Sequence, residues 1–166
     1  MKETIKVQMT EEALYDFLLY HTYSKFSGFL INILGMTVVL LGIYMWVTDQ
    51  IAALQLVYYI LAGVVFLIFT PISLWLRAKK CVKRSAEYKT PKVYIFSEEG
   101  IDVVQTAGQR FTWEEISKVV AAPKTFGFYY GDNDALIIPK SEFGDKYMAI
   151  MKIVSAHICR SRMKLR

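Results

Sequence analysis

The chain has 166 residues, a net charge of +5 and an apolar content of 54%. The apolar residues are segregated, because Asp49 is the only formally charged residue between Phe29 and Leu76. The roughly 90 residues that follow can build one small hydrophobic core but not two. These features argue against a freely soluble protein and against a second globular domain.

The N-terminal region, residues 1–28, predicts a short strand and then an amphipathic helix. Residues 4–9 alternate between apolar and polar side chains, which is typical of a strand. Thr10 is a suitable N-cap, and Glu11 and Glu12 suit the positive end of the helix dipole. We expect the helix to lie along a membrane or against the C-terminal domain. The pattern leaves open whether the strand joins the C-terminal sheet.

Residues 29–47 and 51–76 form two apolar runs, separated only by residues 48–50. A membrane-spanning helix needs about 20 mostly apolar residues to cross about 30 Å of hydrocarbon. The pair therefore predicts a transmembrane helical hairpin in a multi-pass protein. A buried hairpin in a soluble protein is disfavoured, because the remaining chain could not cover two such helices. The first run is also too long, and starts too late, for a cleavable signal peptide.

The distribution of positive charge predicts the orientation of this hairpin. Lysine and arginine precede the first run and follow the second, and the loop between the runs contains neither. Loops near membrane-spanning segments keep these residues on the cytoplasmic side. We therefore expect both termini in the cytoplasm and Asp49 on the outer face.

Small residues in the two runs are candidates for helix packing. Gly28, Gly35 and Gly42 recur every seven residues, which places them on one stripe of a helix, and Gly63 is a possible counterpart in the second run. Small residues allow membrane helices to approach closely. Packing within the hairpin is the first interpretation. Formation of a homo-oligomer, or docking onto a larger membrane-protein partner, are the alternatives.

Two basic clusters are candidate membrane-surface residues. One follows the second run and the other ends the chain; the clusters are Arg77, Lys79, Lys80, Lys83 and Arg84, and Arg160, Arg162, Lys164 and Arg166. Each such residue gains about 1 kcal/mol beside an anionic leaflet. The alternative for the first cluster is that it only anchors the topology. The alternative for the second is a solvated, disordered end.

The C-terminal region, residues 77–166, predicts several antiparallel strands and one final helix. The strands are expected at 93–96, 101–105, 109–113, 116–122, 126–130 and 135–138, with a possible further strand at 84–89. Ser141 is a plausible cap for the helix, whose apolar face would hold Phe143, Tyr147, Ile150, Met151, Val154 and Ile158. The predicted fold class is a membrane α+β protein, in which a helical hairpin carries a cytoplasmic antiparallel half-barrel capped by a C-terminal helix.

Three short segments carry a resemblance to a known family. They are residues 93–101 (VYIFSEEGI), 113–116 (WEEI) and 136–140 (LIIPK) followed by Phe143, and they are similar to segments of the YcxB-like proteins of bacteria. The resemblance implies a pleckstrin-homology-like (PH-like) C-terminal domain and a location in the bacterial inner membrane. It brings no catalytic residues.

No catalytic, cofactor or metal site is expected from the motifs. The sequence has no Gly-rich phosphate loop and no HExxH motif, and Cys81 and Cys159 have no metal-ligand spacing. Nucleic-acid binding is not expected, because the basic residues gather beside the apolar runs. We expect a non-enzymatic membrane protein that presents its domain for protein or lipid-surface interaction. The alternatives are an immunity or envelope-stress protein against membrane-active peptides or toxins, and an accessory subunit of a transporter.

Overall fold

The computed structural model describes residues 2–85, 88, 90–104, 108–131 and 134–164. The elements in chain order are β1 (Glu3–Val7), α1 (Glu11–Tyr23), α2 (Phe26–Val47), α3 (Ala53–Arg84), β2 (Lys92–Phe96), β3 (Gly100–Val104), β4 (Gln109–Thr112), β5 (Lys118–Ala121), β6 (Thr125–Tyr129), β7 (Ala135–Pro139), α4 (Tyr147–His157) and β8 (Met163–Lys164). Two 3-10 helices, Lys140–Lys146 and Arg160–Arg162, flank α4.

The chain divides into two compact units that are not consecutive in sequence. The α/β unit contains Met1–Phe17 and Ala78–Arg166, and the helical unit contains Leu18–Arg77. The strand that precedes the apolar helices therefore belongs to the same unit as the strands that follow them. In sequence, the helical unit is an insertion between β1 and β2.

The first sheet, sheet A, has the order β1-β2-β3-β4 and is antiparallel throughout. Ile5 pairs with Tyr94 and Val7 with Lys92, which answers the question that the sequence left open. Ile5 and Val7 are buried, whereas Lys6 between them is exposed. This alternation is what a strand with one face on a core requires.

The second sheet, sheet B, has the order β7-β6-β5-β8, and β8 runs parallel to β5. The predicted strands and the C-terminal helix are confirmed, and the described strands form two open sheets, not a closed barrel. The prediction that all strands are antiparallel fails at one edge, because sheet B is mixed. Val119 of β5 pairs with Met163 of β8, so that edge of β5 is not available to β4. At the other end of the strand order, Lys146 donates a hydrogen bond of 2.7 Å from Nζ to the carbonyl oxygen of Thr4 on β1.

Aromatic side chains fill the space between the sheets. Phe96 from sheet A contacts Phe128 from sheet B, with ring centroids 5.8 Å apart, and Phe126 contacts Phe143 at 5.4 Å. These four rings are fully or almost fully buried. Ile150, Val154 and the other buried residues of α4 close the same core. The two sheets and α4 therefore share one hydrophobic core.

Helix α1 covers the opposite face of sheet B. The predicted cap is confirmed, because the backbone N–H of Ala13 donates to Oγ1 of Thr10 at 3.2 Å. Phe17 on the buried side of α1 lies against Gly127 and Tyr129 of β6. All five residues of β6 are buried, which follows from having the core on one face and α1 on the other.

Two predictions at the ends of elements are wrong. Ser141 is not a cap: the first 3-10 helix begins at Lys140, and Gly144, with φ of 46°, separates it from α4. The possible strand at 84–89 is contradicted at Arg84, which ends α3; residues 86, 87 and 89 lie outside the described residues. Of the residues predicted on the apolar face of the final helix, Ile150 and Val154 are buried within α4, and Phe143 and Ile158 are buried in the segments that flank it, whereas Tyr147 is exposed.

The helical unit contains two helices that are long and apolar enough to cross a membrane. The candidate spans are Gly28–Val47 and Ala53–Arg84, and only 11% and 6% of their most apolar windows are buried. The core helix of a soluble protein is mostly buried, so the exposure of these side chains favours a lipid environment. Helix α3 continues through Pro71 to Arg84, well beyond the predicted end of the second run.

Candidate functional site

Three of the four candidate packing glycines lie between α2 and α3. A Cβ atom on Gly42 would overlap the side chain of Tyr59, and one on Gly63 would overlap that of Val39. A Cβ on Gly35 would lie only 3.2 Å from the carbonyl oxygen of Gly63. The helices therefore approach through glycine on both sides, as small-residue packing in membranes requires.

Gly28 has a different neighbour. A Cβ at this position would overlap the backbone carbonyl oxygen of Thr22 on α1, not a residue of α3. Gly28 lies in the first turn of α2, two positions beyond its start at Phe26. Its role in the structure is to permit the tight connection between α1 and α2. The sequence spacing of seven residues could not distinguish this contact from those of Gly35 and Gly42.

The first basic cluster lies on the final turns of α3, on the face opposite the buried one. Successive residues of an α-helix are rotated by about 100°. Ala78 is fully buried, and Lys80, Lys83 and Arg84 project from the other side of the helix and are exposed. Arg77 is also exposed, and Lys79 is half-buried. Residues 77–85 contain no carboxylate. This part of α3 is therefore amphipathic, with cations on its outer side.

The second basic cluster lies elsewhere in the α/β unit. Arg160 and Arg162 are exposed in the second 3-10 helix, Lys164 is exposed in β8, and Arg166 lies outside the described residues. The alternative of a disordered end does not hold for residues 160–164, because they form a 3-10 helix and then β8, which pairs with β5. Pairing with a strand restricts how this segment can reach a membrane surface.

Arg162 lines an open cleft of about 510 Å³, which sequence reasoning missed. Its other lining residues are Glu98, Glu99, Thr112, Trp113, Glu114 and His157. The indole of Trp113 stacks on the imidazole of His157, with ring centroids 5.6 Å apart and planes 15° from parallel. Trp113 directly follows β4, and His157 is the last residue of α4. They are far apart in sequence, so no local pattern could have indicated their contact.

The motif residues of the cleft have structural roles in the described part of the chain. Trp113 donates a hydrogen bond of 3.0 Å from Nε1 to the carbonyl oxygen of Ser97. The backbone N–H of Ser97 donates to the carbonyl oxygen of Gly100 at 2.9 Å. A Cβ at Gly100 would overlap the backbone of Phe111, so glycine is required there by close approach. Together these contacts fix the β2–β3 turn against the end of β4.

The carboxylates near this turn are engaged in local contacts. Arg110 forms ion pairs with Glu99 and, at 3.2 Å, with Asp102. Glu115 accepts hydrogen bonds from the backbone N–H of Thr112 at 2.7 Å and from its hydroxyl at 3.0 Å. Among the described residues, no group of three or more His, Cys, Asp or Glu could hold a metal ion.

We expect replacement of Gly42 by leucine to destabilise the pairing of α2 and α3. The added side chain overlaps Tyr59, and overpacking of this kind costs about 1–3 kcal/mol. The measurement is thermal unfolding of the full chain in detergent. Ala62→Leu is the matched control, because Ala62 is exposed on α3. Equal melting temperatures for the two variants would contradict the packing described here.

The comparisons with known proteins give one match. The family model described as YcxB-like protein matches residues 96–150, which run from the end of β2 into α4. No curated protein and no solved structure matches the chain. The matched segment includes the β2–β3 turn, Trp113 and the first 3-10 helix, and it excludes α1, α2 and α3. The resemblance to the YcxB-like proteins is thus confirmed, over residues 96–150 of this chain.

Proposed function

We propose that this chain is a non-enzymatic protein of the bacterial inner membrane that holds its α/β unit at the cytoplasmic surface. In this proposal α2 and α3 form a membrane-spanning hairpin with both termini in the cytoplasm. The α/β unit, whose strands and final helix are consistent with a PH-like domain, is presented there for contact with the lipid surface or with other proteins.

The observation that carries the proposal is the amphipathic end of α3. A long apolar helix passes without interruption into turns whose exposed side bears Lys80, Lys83 and Arg84. Cations placed directly beyond an apolar span are attracted to the anionic cytoplasmic leaflet, by about 1 kcal/mol each. The loop between α2 and α3 carries no lysine or arginine, so the same distribution supports the orientation.

We propose the lipid contact for this cluster and not for the cluster at residues 160–166. Arg162 shares its cleft with Trp113, which bonds to Ser97 just beyond the end of β2. The chain returns from α3 to the other end of β2, at Lys92. A strand of five residues spans about 13 Å between its end residues, at 3.3 Å per residue. Arg162 is therefore at the end of sheet A that is away from the connection to α3.

The arrangement of the glycines bears on the possible partners. Gly35 and Gly42 contact α3, so the face of α2 on which they lie is already covered within one chain. A second copy or a larger partner, as in the accessory-subunit alternative, would have to contact a different surface of the helices. Self-association through the glycine face would require the hairpin to open.

The orientation predicts the accessibility of a cysteine at position 48. In intact cells a Thr48→Cys variant, made in a chain with Cys81 and Cys159 replaced by serine, should react with a membrane-impermeant maleimide. Lys152→Cys in the same background is the control and should react only after lysis, because Lys152 is exposed on α4. The reverse labelling pattern would overturn the orientation.

The lipid contact predicts a preference for anionic lipid that depends on α3. The full chain in phosphatidylcholine vesicles should bind spin-labelled phosphatidylglycerol in preference to spin-labelled phosphatidylcholine. Replacing Lys80 and Lys83 by glutamine should reduce the ratio by up to about fivefold per residue, which corresponds to about 1 kcal/mol each. The matched control is the double variant Arg160→Gln/Arg162→Gln. An unchanged ratio in the α3 variant would contradict the proposed lipid contact. A reduced ratio in the control variant alone would assign the contact to the C-terminal cluster.

A further inference from the structure

Three of the four strands at the edges of the two sheets are protected against pairing with another chain. Proteins usually protect such edges with charges, short strands or covering groups. On β1, the Lys146 ammonium bonds to the carbonyl oxygen of Thr4. On β4, Glu115 accepts a hydrogen bond from the N–H group of Thr112, and its own N–H group donates to the Thr112 carbonyl oxygen. Strand β8 has only two residues.

The fourth edge strand, β7, has no such protection in the part of the chain that the structure describes. It stands at the end of the strand order of sheet B, so one of its sides has no neighbouring strand. Its five residues, Ala135–Pro139, include no charged side chain. Pro139 lacks an N–H group, which ends the stretch that can pair. An apolar edge of this kind is suited to pairing with another strand.

The hydrogen bonds at the two ends of β7 show which backbone groups face its open side. The N–H group of Tyr130 donates to the carbonyl oxygen of Asp134 at 3.1 Å, and that of Lys140 donates to the carbonyl oxygen of Lys124 at 2.9 Å. Residues of an antiparallel strand alternate between bonding to one side and to the other. The even-numbered residues of β7 therefore bond to β6, and the N–H and C=O groups of Ile137 point to the open side.

The segment around β7 is complementary to a second copy of itself. When two copies run antiparallel with Ile137 opposite Ile137, Leu136 of each copy lies opposite Ile138 of the other. In the same register, Asp134 of each copy lies opposite Lys140 of the other. Opposite charges thus meet at both ends of the contact, and apolar side chains meet between them. Directly opposed residues of these two kinds stabilise a strand pair.

Both charged side chains are accessible for this contact. Asp134 is exposed and Lys140 is half-buried. The Lys140 ammonium lies over the ring of Phe126, 5.1 Å from its centroid, and a long lysine side chain can leave such a position by rotation about its bonds. Among the described residues, neither Asp134 nor Lys140 has an ion-pair partner within the same chain.

We propose that β7 is a dimerisation edge, which pairs antiparallel about Ile137 with β7 of a second copy of this chain. Two hydrogen bonds join the Ile137 residues, and the N–H group of each Ala135 donates to the Pro139 carbonyl oxygen of the other copy. The contact uses the same surface on both copies, so it closes at two and does not propagate. It lies within the α/β unit, and it depends neither on the orientation of the hairpin nor on the lipid contact.

Single cysteines on β7 test the register of this contact in the full chain. In the background with Cys81 and Cys159 replaced by serine, Ile137→Cys places two cysteines at opposed positions whose Cα atoms are about 5.5 Å apart. We expect a disulfide-linked dimer when isolated membranes are mildly oxidised. Ala135→Cys is the matched control, because it lies on the same face and is also half-buried. Its two copies would be about 13 Å apart along the strands and should not cross-link.

An exchange of the end charges tests the contact independently. Asp134→Lys or Lys140→Asp, each added singly to the Ile137→Cys chain, places like charges opposite each other and should lower the yield of dimer severalfold. The double exchange restores opposite charges across the contact and should restore the yield. Within one chain the two positions are about 20 Å apart along the strand, so they cannot compensate each other there.

Several results would overturn the proposal. Absence of a dimer at position 137, or equal yields at positions 137 and 135, would mean that the strands do not pair in this register. A yield that stays as low in the double exchange as in the single variants would mean that the two charges do not face each other. Cross-linking of position 137 only to a chain of different mass would assign the open edge to another protein.

Discussion

The pairing of β1 with β2 joins two chain segments that stand on either side of the apolar helices. Ile5 and Val7 contribute side chains to a core that is otherwise built from residues beyond position 90. Burial of each such side chain is worth about 1.5–3 kcal/mol, a large share of the 5–15 kcal/mol by which a domain of this size is stable. The α/β unit therefore depends on the N-terminal segment, and neither half of it is complete without the other.

Because β1 pairs with β2, the apolar helices are inserted in sequence between two segments of the same unit. A hairpin appended to the end of a domain is an anchor, and its position has little effect on the domain's core. Here the chain leaves the α/β unit through α1 and returns to it through α3, and both connections are helices. Within the α/β unit, α1 packs on sheet B through Phe17, and the end of α3 is amphipathic.

Local patterns predicted most of the elements. The strands from β2 to β7 are short runs bounded by turn residues, and the two apolar runs are long and apolar enough to cross a membrane. The prediction that failed concerns a contact between residues that are far apart in sequence. The parallel pairing of Met163 with Val119 spans 44 positions and involves a strand of two residues, which is too short to have a pattern. Its presence at the edge of β5 makes sheet B mixed, where antiparallel pairing was expected throughout.

The same limit applies to the candidate sites. Glycine spacing indicated a packing face on α2 but could not show that Gly28 serves the α1–α2 connection, because that depends on where the Thr22 carbonyl lies. The basic residues after the second run were evident, whereas their restriction to one side of α3 depends on the helix continuing to Arg84. The stacking of Trp113 on His157 joins segments with no common pattern.

The central claim, that the N-terminal strand completes the sheet beyond the hairpin, is tested most directly by cross-linking in the full chain. In the background without Cys81 and Cys159, the pair Lys6→Cys and Val93→Cys stands at directly opposed positions of β1 and β2. We expect this pair to form a disulfide readily under mild oxidation in native membranes. The pair Lys6→Cys and Ile95→Cys, displaced by two residues along β2, should not, because diagonal neighbours lie about 7–8 Å apart. Absence of the first cross-link, or equal yields from both pairs, would contradict the account.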